Sequence, residues 1–600
     1  MSARMLGRLF AVLLFVCVGI IVLISWAASR APTPTGPSVD LGPAPNFEQD
    51  WAESGLSGGS PEQIVRAGER WVWRRVGEDG RLEYLIEADR LDPLDRGRFA
   101  LTSPVAWIYP REGGRIRIRA ANGQFVWPRG GEPESGDLTG GVTIDQFDPD
   151  AERPHLTMRS DSLTFERTLG QLETPDEVSI EGPGLSFLGR GLTVRVSEYT
   201  EPETSVRRHR LNLVRVDEGR EIRIDPTQHG TRSERSNGNG SSDRSSGATF
   251  VERMAGGAAI DYYRALFVGD VALARAGQRL TAERADIYAA AVDGSIPSDA
   301  IRPIRFLERA GERAGTERSS TSPADDANGQ GASGGDQDEV VLTWSGPFEL
   351  RPVQSKPDEL GSDALAVRFS SPGTSIVTLE DAAAGLRARG AALRYAMSSA
   401  RFDLSGVAGE VGVNITLDDR AELVAGRVLL DLEHSPHGRV SVMSPGVLRE
   451  LGVSREGSEQ PSDVQWAGRA DVVFDLVRGS EDGTGVLLRE ISVADGVRAR
   501  APGMGVRGEF VRAEFSETEG GSALSRIQAS GAVDATVSER GRLRAEEVEG
   551  FFDVGASPDR PVIRSATARG GVRAEDDRRW IEADRIRTRF APPETPQSDP

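Results

Sequence analysis

The sequence predicts an all-β protein built of stacked sandwich, jelly-roll or open-barrel units, and three observations carry that prediction. Short runs alternate apolar and polar residues. Arg115-Ile116-Arg117-Ile118-Arg119-Ala120 puts Ile116, Ile118 and Ala120 on one side and three arginines on the other. Val142-Thr143-Ile144, Leu163-Thr164-Phe165, Val178-Ser179-Ile180 and Leu192-Thr193-Val194-Arg195-Val196 repeat the scheme. A period of two marks a strand with one dry face and one wet face. Glycines separate the runs, as at Gly113-Gly114, Gly140-Gly141, Gly182-Pro183-Gly184 and Gly189-Arg190-Gly191, and read as turn punctuation. Beyond the N-terminus no helical period competes with this pattern, and many short strands with Gly-rich turns define the class.

Taken in order, the chain opens on an uncharged run, Leu9 to Ala28, preceded by Arg4 and Arg8 and carrying Trp26 near its far end. As a helix it spans roughly 30 Å, the thickness of a bilayer core. The run is longer than the apolar region of a signal peptide, and Ala27-Ala28 makes only a loose cleavage site. Residues 1–30 therefore read as an uncleaved anchor, with a cleaved signal peptide as the competing reading. Positive-inside logic leaves the bulk of the chain outside the cytoplasm.

Residues 31–68, rich in Pro, Gly and Ser at their start, read as a flexible tether. A first β unit is expected over 69–225, beginning at Glu69-Arg70-Trp71-Val72-Trp73 and ending after Arg210–Val216. Residues 226–249 are a low-complexity linker too polar to bury a core. A second β unit follows over 250–451, interrupted by a Gly/Ser/Asp-rich insert at 310–339. A linker at 452–463, a third β unit over 464–590 and a polar tail at 591–600 complete the chain.

Composition excludes several functions. A net charge of −20 disfavours a nucleic-acid binder. The single cysteine, Cys17, lies in the apolar run, so no intrachain disulfide can form. No phosphate loop, Gly-x-Ser-x-Gly elbow or HExxH motif occurs, and no cofactor or metal is expected. His434-Ser435-Pro436-His437 is the one close histidine pair. Pro436 breaks the helix such a pair would need, so it reads as a solvated turn. Carboxylate pairs such as Asp325-Asp326, Asp418-Asp419 and Asp576-Asp577 read as solvated surface. The row Arg115, Arg117, Arg119 admits two readings. It is an ordinary wet or charge-protected strand face, or a set of guanidiniums for phosphates.

The most specific feature is internal recurrence. Glu87-Ala88-Asp89-Arg90-Leu91 returns as Glu582-Ala583-Asp584-Arg585-Ile586, with looser copies at Arg284–Ile287 and Ser160–Leu163. A Gly-x-Val-like strand precedes most copies: Gly140-Gly141-Val142, Gly269-Asp270-Val271, Gly531-Ala532-Val533 and Gly570-Gly571-Val572. Such stacked units need neighbours to bury their apolar faces.

The runs Tyr84–Asp89, Leu101-Thr102-Ser103-Pro104, Ile118–Gly123, Leu138–Ile144, Leu169–Thr174 and Val178–Gly182, with Gly189–Leu192, resemble the periplasmic LptC/OstA-like proteins of lipopolysaccharide transport. The resemblance covers roughly residues 1–225, and the later units look like degenerate OstA-type repeats. It implies one transmembrane helix followed by tandem β-jelly rolls, in the inner membrane with a single pass and most of the chain in the periplasm. It implies no enzymatic activity, and as partners glycolipid or lipopolysaccharide, an inner-membrane ABC exporter, and other OstA-like bridge proteins joined by strand addition. Ile116, Ile118, Phe125, Val142, Ile144, Leu163, Phe165, Val178 and Ile180 are the candidates for lining a groove that shelters acyl chains; ordinary core packing is their alternative. Two other functions stay open: an envelope scaffold or adhesion protein with filled interiors, and a jelly-roll carbohydrate-active enzyme with carboxylates across a cleft.

Overall fold

The computed structural model describes residues 62–200, 207–224, 260–292, 340–450, 463–501 and 504–589, apart from short connections between strands. The expected anchor, the tether as far as residue 61, the linker 226–249, the insert 310–339, the linker 452–462 and the tail 591–600 lie outside the described residues. Among those described, every regular element is a strand. One strand, Glu62–Ala67, lies inside the stretch that the sequence assigns to the tether, and pairs with Arg70–Val76. Its six residues, EQIVRA, alternate too weakly to announce a strand, and the neighbour supplies what the pattern lacks.

Two layers grow from the start of the chain. Leu82–Ala88, Val105–Ile108 and Arg115–Arg119 pair in one layer. Arg90–Pro93, Arg98–Thr102 and Asn122–Val126 pair in the other. From Ser135–Phe147 onward single strands run through both. The first half of that strand pairs with Asn122–Val126 and the second half with Arg115–Arg119. The passage between layers is made at Gly140 and Gly141, with φ of 82° and 83°, where two residues face one on the neighbouring strand, Asp161.

This corrects one sequence expectation. Gly140-Gly141 is a bulge inside a strand, not a turn between strands, and Arg190-Gly191 likewise lies within Leu185–Thr200. Turn and bulge demand the same left-handed residues, so the local sequence cannot separate them. Inward residues show the difference: Leu138 and Val142, on either side of the pair, are both buried. Gly182-Pro183-Gly184 does make a turn, with Gly184 at φ 68°.

The same device recurs at each Gly-x-Val site. Gly269-Asp270, Gly531-Ala532 and Gly570-Gly571 all have positive φ at both residues and sit at register shifts within one strand. Ala265–Val268 and Val271–Leu273, on either side of Gly269-Asp270, are accordingly one strand, Ile260–Arg275. Asp584 of the repeated Glu-Ala-Asp motif lies opposite Gly570-Gly571, and its other copy places Asp89 at the passage between Leu82–Ala88 and Arg90–Pro93. The recurrence therefore marks a fold line along which the two layers turn toward each other.

The ladder also runs across the places where the sequence sets unit boundaries. Arg207–Ile224 pairs with Val340–Thr343 and Phe348–Val353, and both of these pair on their far side with Ile260–Arg275. Asp463–Trp466 bridges Gly446–Glu450 and Thr484–Ala501. Among the described residues the last strand of the ladder is Trp580–Arg589, which pairs with Val562–Asp576.

Candidate functional site: the apolar interior between the layers

Directly opposed residues of antiparallel strands share a face, so the register traces each layer's inner surface. In the first layer Trp73 faces Ile86, then Ala106, Ile118, Ile144 and Met158. The row passes through Ile180, Phe187, Ile222, Leu342 and Leu273. It continues by Leu280, Leu379, Ala388, Ile415 and Leu423. Leu448, Val464, Ala499, Val506 and Ala535 follow, and Leu543, Ala574 and Ile581 complete it. No polar residue interrupts it.

The second layer behaves alike. Phe99 faces Phe125, followed by Gly136, Phe165, Leu172 and Val194. Val214, Leu350, Ala265, Ile287 and Val367 extend the row. Through Tyr395, Phe402, Leu430, Val440 and Val472 it reaches Ile491, Ala513, Ile527, Gly550 and Ala566, and it ends on the polar Thr588 of the last strand. Residues of both rows as far as Val506 and Ile527 belong to one apolar cluster, so the two layers face each other across a shared interior, and Leu543 packs on a second, small cluster of Ala545, Ala568 and Val572 that shares Val548 with the first.

All nine groove candidates lie on these inner faces. Ile118, Ile144, Ile180, Phe125 and Phe165 are members of the rows. Val142, Leu163 and Val178 flank the fold line, and Ile116 lies one inward position beyond Ile118. Seven of them are buried, while Ile118 and Phe165 are half-buried against the same cluster.

Two aromatic groups that sequence reasoning did not single out span the layers. Near the N-terminal edge the Trp127 ring meets Trp73 edge-on at 4.9 Å and Trp71 at 5.6 Å. In the middle Trp344 stands edge-on to Phe267 at 5.1 Å, with Phe187 and Phe348 each at 6.3 Å. Gly219 makes room for it, since a Cβ there would fall 1.7 Å from the indole. Lone aromatics in alternating runs gave no sign of these groupings. The fold line also buries a hydroxyl pair, Ser160 and Thr174, at 2.9 Å.

The outer face carries charge, but in neutralised form. Arg117 donates to Asp145 from Nε at 3.1 Å and Nη2 at 2.7 Å, and Arg119 donates to the same oxygen at 3.1 Å. The Asp145 side chain is only 3% exposed, and Thr157 donates to its other oxygen. Arg115 and Arg117 also lie over the Trp107 and Phe147 rings, at 5.0–5.6 Å. The arginine row is thus neither a bare wet face nor an edge, since Arg115–Arg119 is paired on both sides. Two of its guanidiniums already serve a buried carboxylate.

Asp286 repeats the motif, accepting from Arg264 at 2.8 Å and from Arg284 at 2.7 Å, and its hydrogen bond raises the Arg284 pKa. His437 opens a strand, and its Nδ1 lies 2.5 Å from Asp475. That contact comes first in holding the Asp475 carboxyl below its ordinary pKa, with Arg489 adding to it against the effect of burial. Among the described residues no group of His, Cys, Asp or Glu could hold a metal ion.

Residues 56–199 match the family described as lipopolysaccharide-assembly, LptC-related. A comparison with curated proteins finds no match. The matched segment contains the first fold-line bulge, the N-terminal aromatic group and all nine groove candidates.

Proposed function

Proceeding from the LptC-related nature of residues 56–199, we infer that this chain is a periplasmic glycolipid-transport protein held to the inner membrane by residues 9–28. Its apolar interior shelters acyl chains of lipopolysaccharide or a related glycolipid received from an ABC exporter and moves them outward. The observation that carries this reading is the pair of apolar rows that face one another and begin inside the LptC-related segment. Each methylene taken from water contributes roughly 0.8 kcal/mol, so a few carbons per chain give a hold that is useful yet reversible.

One end of the ladder favours a relay. Among the described residues Trp580–Arg589 pairs on one side, and Trp580 and Ile581 are 63% and 61% exposed. An edge of this kind suits strand addition by another β protein, which supports docking of a further OstA-like bridge protein there.

A scaffold with a filled interior is the second reading. It is favoured by the complete burial of Phe267 and Leu350 near the Trp344 group. Photo-crosslinking in cells from Phe125 and Phe165 separates the two. Glycolipid adducts at both positions are the expected result, and adducts confined to protein would refute transport.

A further inference from the structure

The family match ends at residue 199, yet neither the ladder nor its apolar rows end there. We propose that residues 260–589 continue the acyl-carrying interior of the LptC-like segment, so that one chain forms both the anchored acceptor and a long stretch of bridge. The inference rests on the transport reading above and extends it to the part of the chain outside the match.

Three observations support it. First, the pairing at the junction keeps apolar against apolar: Ile222 faces Leu342, which faces Leu273, and Val214 faces Leu350, which faces Ala265. A slip of one residue would turn every side chain to the opposite face, so this register preserves a shared interior in both layers at once. Independent β modules instead end on short, charged or covered edges.

Second, the lining becomes smaller toward the C-terminus. Ala499, Val506, Ala535, Leu543 and Ala574 succeed one another where Ile180, Phe187 and Ile222 stand earlier in the row. In the other layer Gly550 and Ala566, followed by Thr588, stand near the end of the row that Phe99, Phe125 and Phe165 begin. Alanines and glycines are too short to meet across the roughly 10 Å between packed sheets, so this part of the interior suits an added acyl chain better than a self-filled core. Third, the first-layer row crosses about two dozen strands, which at about 4.8 Å each come to roughly 110 Å of contour. That is a distance for a bridge.

The test is photo-crosslinking in cells from a benzoylphenylalanine in the full chain, placed at Ile180, Ile287, Ile527 or Leu543, with the exposed outward positions Arg159 and Arg542 as controls. Proteolysis of each purified variant verifies folding, and Ile527 and Leu543 stand in for each other if one fails. Glycolipid adducts at Ile180, Ile287 and at least one of the last two, with none at the controls, are expected. Adducts at Ile180 that are missing at Ile287 or at both C-terminal positions overturn the inference and leave the transport reading intact. Adducts at none overturn both.

Discussion

Replacing Gly219 by alanine tests the joint between the LptC-like segment and the rest of the chain. The added methyl would stand 1.7 Å from Trp344 Cε2 and 1.8 Å from Nε1. Trp344 is 3% exposed and hemmed in by Phe187, Phe267 and Phe348, so it can yield only by leaving that group. Overpacking costs about 1–3 kcal/mol. Losing one or two ring contacts adds about 0.5–1.5 kcal/mol each. The sum is about 1.5–6 kcal/mol, felt at the pairing of Arg207–Ile224 with Val340–Thr343. A 600-residue chain does not unfold in two states, so the assay is hydrogen exchange of peptides covering 219–224 and 340–350. A local cost of 2 kcal/mol speeds exchange by opening roughly 30-fold. Trp344→Ala is itself destabilising, but in its background Gly219→Ala should add less than about 0.5 kcal/mol, because the methyl no longer has a ring to strike. Unchanged exchange in the single variant, or an undiminished cost in the double variant, would refute this account of the joint.

Other variants probe the fold line and the charged outer face. Asp286→Ala removes the acceptor shared by Arg264 and Arg284, whose side chains are 21% and 39% exposed. The expected cost is about 2–3 kcal/mol, below that of a fully buried pair because water reaches the guanidiniums, and local exchange around 264–288 measures it. Ala532 holds φ at 48° beside Gly531, so Ala532→Gly should leave stability unchanged or raise it by up to about 1 kcal/mol, while Gly531→Val should lower it by at least as much; exchange at 526–537 reads both. Asp475, held down chiefly by His437, and Asp534, held down chiefly by Arg542, have depressed folded-state pKa values. Their stabilisation is present above the ordinary aspartate value of about 3.9 and is lost as pH falls through the lowered values. An acid titration should therefore show the C-terminal strands loosening below about pH 4, and Asp475→Asn with Asp534→Asn should flatten that dependence.

The class of fold was legible because each inner row is written locally: Ile116-Arg117-Ile118 and Val178-Ser179-Ile180 need only their own alternation to declare a wet and a dry side. The nine groove candidates reach the interior for the same reason. What stayed hidden depends on residues far apart in sequence. Gly140-Gly141 carries the same letters whether it ends a strand or bends one, and only pairing with Asp161 decides. Arg117 and Arg119 read as surface until a register with Asp145 supplies their acceptor. Trp344 and Gly219 are separated by 125 positions, and nothing in either local run announces that one ring fills the other's missing side chain. The continuity from Ile224 to Val340 was masked by low-complexity sequence between them, which looks like a domain boundary whether or not strands meet across it.

The most direct test of an acyl-carrying interior is electron paramagnetic resonance of the full chain carrying Cys17→Ser and one nitroxide at a time. The labels stand at the inward positions Ile180 and Leu543 and at the outward positions Arg159 and Arg542. On addition of purified lipopolysaccharide both inward labels should lose mobility while the outward pair stays unchanged; inward spectra that do not move, at saturating glycolipid, would contradict the account.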